Sequence, residues 1–196
     1  MARRLSLLLL TVAASGCFGT SPPARFYVLS ATAGQPAPNP AHDDVIGVMP
    51  TRVAEYLDRP QMVTLLGENA VALDEYARWA EPVSAGVSRV LALDLAAELP
   101  EWRVVQQPWD PTVPLRAQVT LDVTALGWTP DGAVRLDASW ALVAAPAATP
   151  AARGQVSLRR AAPEKGTDAA VATASALLAD LARQIAAAVR ALPPGR

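Results

Sequence analysis

One cysteine, Cys17, and one histidine, His42, occur in 196 residues. A single cysteine excludes a disulfide within the chain, so stability has to come from packing. A single histidine in the stretch Pro40-Ala41-His42-Asp43-Asp44 is a poor start for a hydrolase triad. Such a triad needs an imidazole held between a nucleophile and an orienting carboxylate. No His, Cys and carboxylate set has metal-ligand spacing, and no glycine-rich phosphate loop follows a predicted strand. Paired carboxylates such as Asp43-Asp44 and Asp74-Glu75 read as solvated charges in a loop or at a strand end. Lys and Arg are nowhere concentrated enough to make a phosphate-binding face, which argues against nucleic acid. After the first few residues no run of 18 apolar residues is free of charge, so no membrane-spanning helix is expected. The 52% hydrophobic content is inflated by alanine and is no sign of a membrane protein. The pattern argues against an enzyme and calls for no cofactor and no metal.

What is present begins at the N-terminus. Arg3 and Arg4 precede an apolar segment from Leu5 to about Val12, and the small residues Ala14, Ser15 and Gly16 stand directly before Cys17. A charged n-region, an apolar h-region and small residues at a cleavage point make a secretory signal. The small residues next to the cysteine resemble the lipobox of bacterial lipoproteins, in which the thiol is acylated and the chain is cut before it. An ordinary signal peptide with a chance cysteine is the alternative. An apolar run this short cannot span a bilayer, which takes roughly 20 helical residues. The expected organisation is a signal peptide over 1–16, a lipid-bearing tether over 17–24 and one domain over 25–196. Losing Arg3 and Arg4 takes 17 basic residues to 15 against 18 acidic, a net charge of −3. Acylation of Cys17 leaves no thiol for other chemistry.

The rest of the chain predicts one α+β domain, a mainly antiparallel or mixed sheet packed by two long helices. Strands are expected at 25–30, 45–49, 61–66, 70–74, 102–106 and 155–159, and a helical turn or two at 51–57. Leu115, Ala117, Val119, Leu121, Val123 and Ala125 alternate with polar residues, as do Val134, Leu136, Ala138, Trp140 and Leu142. The turn sequence Thr129-Pro130-Asp131-Gly132 joins the two runs into a hairpin with one wet and one buried face. A proline- and alanine-rich loop is expected from Ala144 to Arg153. One helix is predicted from Ser84, as its cap, to Leu99, with Val87, Val90, Leu91, Leu95 and Leu99 on one side. A second runs from about 168 to 192, capped by Thr167, with a stripe of Val171, Ala174, Leu178, Leu181, Ile185, Val189 and Leu192. Thr173, Asp180, Arg183 and Gln184 should face away from that stripe.

Two polar and aromatic segments stand out from the alanine background: Glu55-Tyr56-Leu57-Asp58-Arg59-Pro60-Gln61 and Arg78-Trp79-Ala80-Glu81-Pro82. Two roles are open for Tyr56, Asp58, Arg59 and Trp79. They could brace the sheet edge and close a turn, or they could form a docking patch, where Trp, Tyr and Arg are enriched.

Arg25-Phe26-Tyr27-Val28-Leu29 soon after a lipobox, then Ile46-Gly47-Val48, then Tyr56 to Gln61, then Arg78 to Pro82, form an ordered set. The set resembles the PqiC-like family of ABC-type transport auxiliary lipoproteins. That resemblance implies a non-catalytic lipoprotein on the periplasmic face of the outer membrane. It also implies service in an MCE-type system moving lipids or other hydrophobic molecules, with an MCE-domain protein and an inner-membrane permease and ATPase as partners. The family brings no catalytic residues, and a homo-oligomer is left open. A lipid carrier with its own apolar pocket is the second reading, and a lipoprotein hydrolase the third.

Overall fold

A computed structural model describes residues 22–36, 40, 45–145 and 149–193. Cys17, His42 and the signal and most of the tether lie outside the described residues. The strands are β1 (Arg25–Tyr27), β2 (Val45–Val48), β3 (Arg52–Val53), β4 (Gln61–Leu65), β5 (Val71–Trp79), β6 (Arg103–Gln106), β7 (Leu115–Trp128), β8 (Ala133–Ala144) and β9 (Thr149–Ala161). The helices are α1 (Val83–Glu98) and α2 (Thr167–Arg190). Among the described residues the architecture is α+β: one mixed sheet and two helices in a single domain.

β7 is the axis of the sheet. β8 pairs antiparallel along nearly its whole length and β9 continues outward from β8. The other edge of β7 is lined in succession by three short parallel strands, β2, β3 and β4. β6 lies outside β2, while β5 and then β1 lie outside β4. Gly47 in β2 sits where the Trp109 ring closes over the strand, and a Cβ there would come within 2.9 Å of that ring.

The alternation in β7 and β8 has the cause expected of it. Ala117, Val119, Leu121 and Val123 are buried with Leu136, Ala138 and Leu142, while the intervening residues meet solvent. Ala125 is buried too, as the alternation predicts, but its setting differs. A bulge at Thr124 shifts the register, so Ala125 pairs with Asp137 and shares its outer face. Leu126, paired with Leu136, takes the inward place.

The helices lie side by side against the inner face. Val87, Val90, Leu91, Leu95 and Leu99 are all fully buried, as the spacing predicts. In α2, Leu178, Leu181, Ile185 and Val189 are fully buried too. Thr173 is also buried rather than turned away, because its hydroxyl donates to Ala169 O at 2.7 Å and so needs no water. Neither expected cap holds: Pro82 and Gly166 occupy the N-cap positions without side-chain cap bonds. Ser84 and Thr167 are already helical.

Further boundaries differ from the sequence reading, and β1 ends at Tyr27 instead of Ser30. The expected helical turn at 51–57 begins instead as β3, since Arg52 and Val53 pair with Asp122 and Val123 and Arg52 forms an ion pair with Asp122. β5 runs on to Trp79 past a bulge over 75–77, where Asp74 Oδ1 accepts from the Tyr76 and Ala77 amides at 2.8 and 3.0 Å. β9 takes up the second part of the expected loop, beginning at Thr149 as the outermost strand beyond β8, where Pro150 is tolerated.

Candidate functional site

The path from the end of β3 to the start of α1 brings together three of the four residues singled out above. Asp58, Arg59 and Trp79 line an open hollow of about 300 Å³ with Pro60, Ala80, Glu81 and Pro82. The backbone fixes its shape: Trp79 N–H donates to Pro60 O at 2.6 Å and Ala80 N–H to Tyr27 O at 2.9 Å. Two proline-bearing segments, Arg59-Pro60 and Glu81-Pro82, are thereby held on either side of the end of β5.

Asp58 is a brace. Its Oδ1 accepts from Ser84 Oγ at 3.3 Å and from Ser84 N–H at 3.5 Å, in the first turn of α1. A carboxylate in that place meets donors the helix cannot satisfy itself and the positive end of its dipole. No acidic residue of α1's own first turn does this. Glu81 is held by Arg89, which also donates to Leu29 O at 3.0 Å. Arg59 closes a tight turn through its N–H to Leu57 O at 2.8 Å, and its half-buried side chain has a buried Nε that makes no hydrogen bond.

Tyr56 does not join this group. Its hydroxyl donates to Thr124 O at 2.8 Å, covering the carbonyl that the β7 bulge withdraws from the ladder. Its partial burial raises the phenol's pKa, with Asp137 adding to the rise and Arg135 opposing it. Tyr56 faces a separate outer hollow with Arg135 and Asp137.

The hollow presents an indole, a guanidinium and a carboxylate engaged with a helix end, with no nucleophile and base in contact. Among the described residues no group of three or more His, Cys, Asp or Glu could hold a metal ion. An apolar cavity of about 80 Å³ lies deeper, between β4, β7 and the first turns of α2, lined by residues including Met62, Leu126, Trp128 and Val171.

The family model for the ABC-type transport auxiliary lipoprotein component matches residues 27–186. The chain belongs to that family. The match spans every strand and helix described except the beginning of β1 and the last turn of α2. No curated protein matches the sequence. Among solved structures, the chain is similar to an uncharacterized protein at a TM-score of 0.73 and 20% identity, covering 86% of this chain and 99% of that one. It is similar to a DUF330-family protein from Xanthomonas campestris at a TM-score of 0.68 and 15% identity, covering 85% and 97%. PelC from Paraburkholderia phytofirmans, crystallised as a dodecamer, gives a TM-score of 0.50 at 11% identity over 82% and 96%. These likenesses establish the fold. As a member of a lipoprotein family the chain is a component of ABC-type transport.

Three of the ordered motifs that suggested the family meet in the fold, while Ile46-Gly47-Val48 lies in β2 at the other end of β7. Arg25-Phe26-Tyr27 forms β1, paired with Ala77-Arg78-Trp79, and Gln61 pairs with Arg78. Sequence reasoning missed the role of Asp58 as a remote cap, which no spacing rule reveals because Ser84 lies 26 residues away.

Proposed function

We propose that this protein is a non-catalytic, lipid-anchored component of an MCE-type transport system, docking its conduit to the outer membrane from the periplasmic side. The observation that carries the reading is the family match across almost the whole described domain, together with the lipobox-like Ala14-Ser15-Gly16-Cys17. Acylation of Cys17 would tether the domain; acyl chains contribute about 0.8 kcal/mol per buried CH₂, so two or three hold far more firmly than one. Phe18 follows the cysteine, where an Asp would favour retention at the inner membrane in enteric-type sorting. The hollow at Asp58, Arg59 and Trp79 is the candidate contact for the MCE-domain protein.

The carrier reading draws on the apolar cavity beside α2. At about 80 Å³ it is well short of the ~300–1,000 Å³ usual for small-molecule sites, and this supports keeping that reading second. Affinity capture of the protein from membranes tests both. Recovery of an MCE-domain protein supports docking, whereas stoichiometric lipid in a native mass spectrum, without such a protein, would replace docking by carriage. Cys17→Ala should release the protein from the membrane fraction, and fatty-acid labelling of that variant at the original level would refute the anchor.

A further inference from the structure

We propose that the β4–β5 hairpin seats on the lipid bilayer beside the anchor, a placement that rests on the lipidation of Cys17. The direction of the strands carries it. β1 runs parallel to β5 with Arg25 opposite Ala77, so the chain preceding Arg25 arrives from the side on which the hairpin tip stands. Arg25 also pairs with Asp168 in the first turn of α2 at 2.9 Å. The arrival point is therefore fixed to both the sheet and a helix.

Lengths then set the height. Phe18 to Ala24 is seven residues, at most about 25 Å when fully extended. Val71 precedes Ala77 by six residues, about 20 Å of strand toward that same side. A tether this short brings the hairpin tip to the surface in which the acyl chains are buried.

The tip has the composition for that surface. Leu66, Val71, Leu73 and Tyr76 are 52, 42, 38 and 46% exposed, while Val63 and Leu65 on β4 of the same hairpin are buried against β7. Tyr76 carries the apolar body and polar tip that favour a membrane interface. From Leu65 to Ala77 there is no Lys or Arg, and Glu68, Asp74 and Glu75 are acidic. Contact is thus apolar, with a neutral zwitterionic surface rather than through attraction to anionic headgroups.

The test uses the full lipidated protein in phosphatidylcholine and phosphatidylethanolamine vesicles. Acylation of Cys17 leaves a single introduced cysteine as the site for an environment-sensitive dye. Asn69→Cys reports the hairpin tip and Arg103→Cys, at the opposite end of the sheet, serves as reference. The dye at position 69 is expected to shift to the blue and to be quenched by nitroxide lipids, and the dye at position 103 by aqueous iodide. Adding Leu66→Ser and Leu73→Ser to Asn69→Cys should restore iodide quenching without loss of vesicle flotation. Equal iodide quenching at 69 and 103 in floating protein overturns the seating alone. Protein that does not float overturns the anchor, and the seating with it.

Discussion

β7–β8 and β4–β5 are both antiparallel hairpins interrupted by a bulge, and the fold covers one and leaves much of the outer strand of the other bare. In β7–β8 the inward residues Leu126, Leu136, Ala138 and Leu142 lie in the core beneath α2, and a side chain from elsewhere, Tyr56, covers the carbonyl freed by the bulge. In β4–β5 the bulge is held from within the strand by Asp74, and Val71 to Tyr76 are all exposed. A hairpin that stabilises the domain is supported by distant parts of the chain. One that reaches outward carries its own support and keeps apolar surface that folding does not consume.

Truncation in the two hairpins should separate them most. Leu136→Ala leaves a cavity in a fully buried site and should cost about 3 kcal/mol in denaturant unfolding. Leu73→Ser in β5 should stay within about 0.5 kcal/mol. Equal losses would mean that both hairpins serve the core. The seam between them comes next. A Cβ on Gly127 would lie 2.7 Å from Val63 O, so Gly127→Ala must push β4 from β7 and should cost about 2 kcal/mol. Unchanged stability would show that the hairpins are not held at this point.

Tyr56→Phe removes the hydroxyl that covers Thr124 O and should cost about 1 kcal/mol, with little effect on partner capture. Arg59→Glu should do the reverse, moving stability by less than about 1 kcal/mol while abolishing capture by the MCE-domain protein. Intact capture would take the hollow out of the docking proposal.

The smallest effect lies in the β7–β8 turn. Bonds from Thr129 and Arg159 hold the Asp131 carboxyl down at about 2. A depressed folded value gives stability that is present above the ordinary carboxylate range and fades as pH falls through it. The difference between the parent and Asp131→Asn should therefore shrink between about pH 5 and 2. A constant difference would place the role of Asp131 outside its charge.

The regular parts of this fold were legible because their periods are uninterrupted. Leu115 to Val123 and Val134 to Leu142 alternate against a wet face, and the apolar stripes of α1 and α2 recur at helical spacing. Legibility failed where one residue breaks the count. Thr124 fits the alternation in sequence yet is the residue that loops out, and Ala125, small enough for either face, gives no warning. The Asp74 bulge hid the second half of β5 in the same way, and Pro150 hid the start of β9. β3, two residues long, has no period at all. Asp58, Arg59 and Trp79 came into view through their polar and aromatic setting. Their meeting at one hollow, and the departure of Tyr56 from it, depend on the course of β5 and on a bulge in another strand.

The clamp between Arg25 and Asp168 has a mechanical consequence. If the domain is held at its N-terminus by lipid and bound to a conduit at its other side, as proposed, it would come under tension whenever the two membranes move apart. Such a load would enter at β1, whose own ladder to β5 is three residues long. Arg25 would pass part of it to the start of α2, and a few residues later the Ser30 amide, bonded to Ser175 Oγ at 3.1 Å, would pass on more. The longer of the two described helices, packed on the sheet through Leu178, Leu181, Ile185 and Val189, would then act as the strut, sharing the pull with the core so that it does not fall on an edge strand alone.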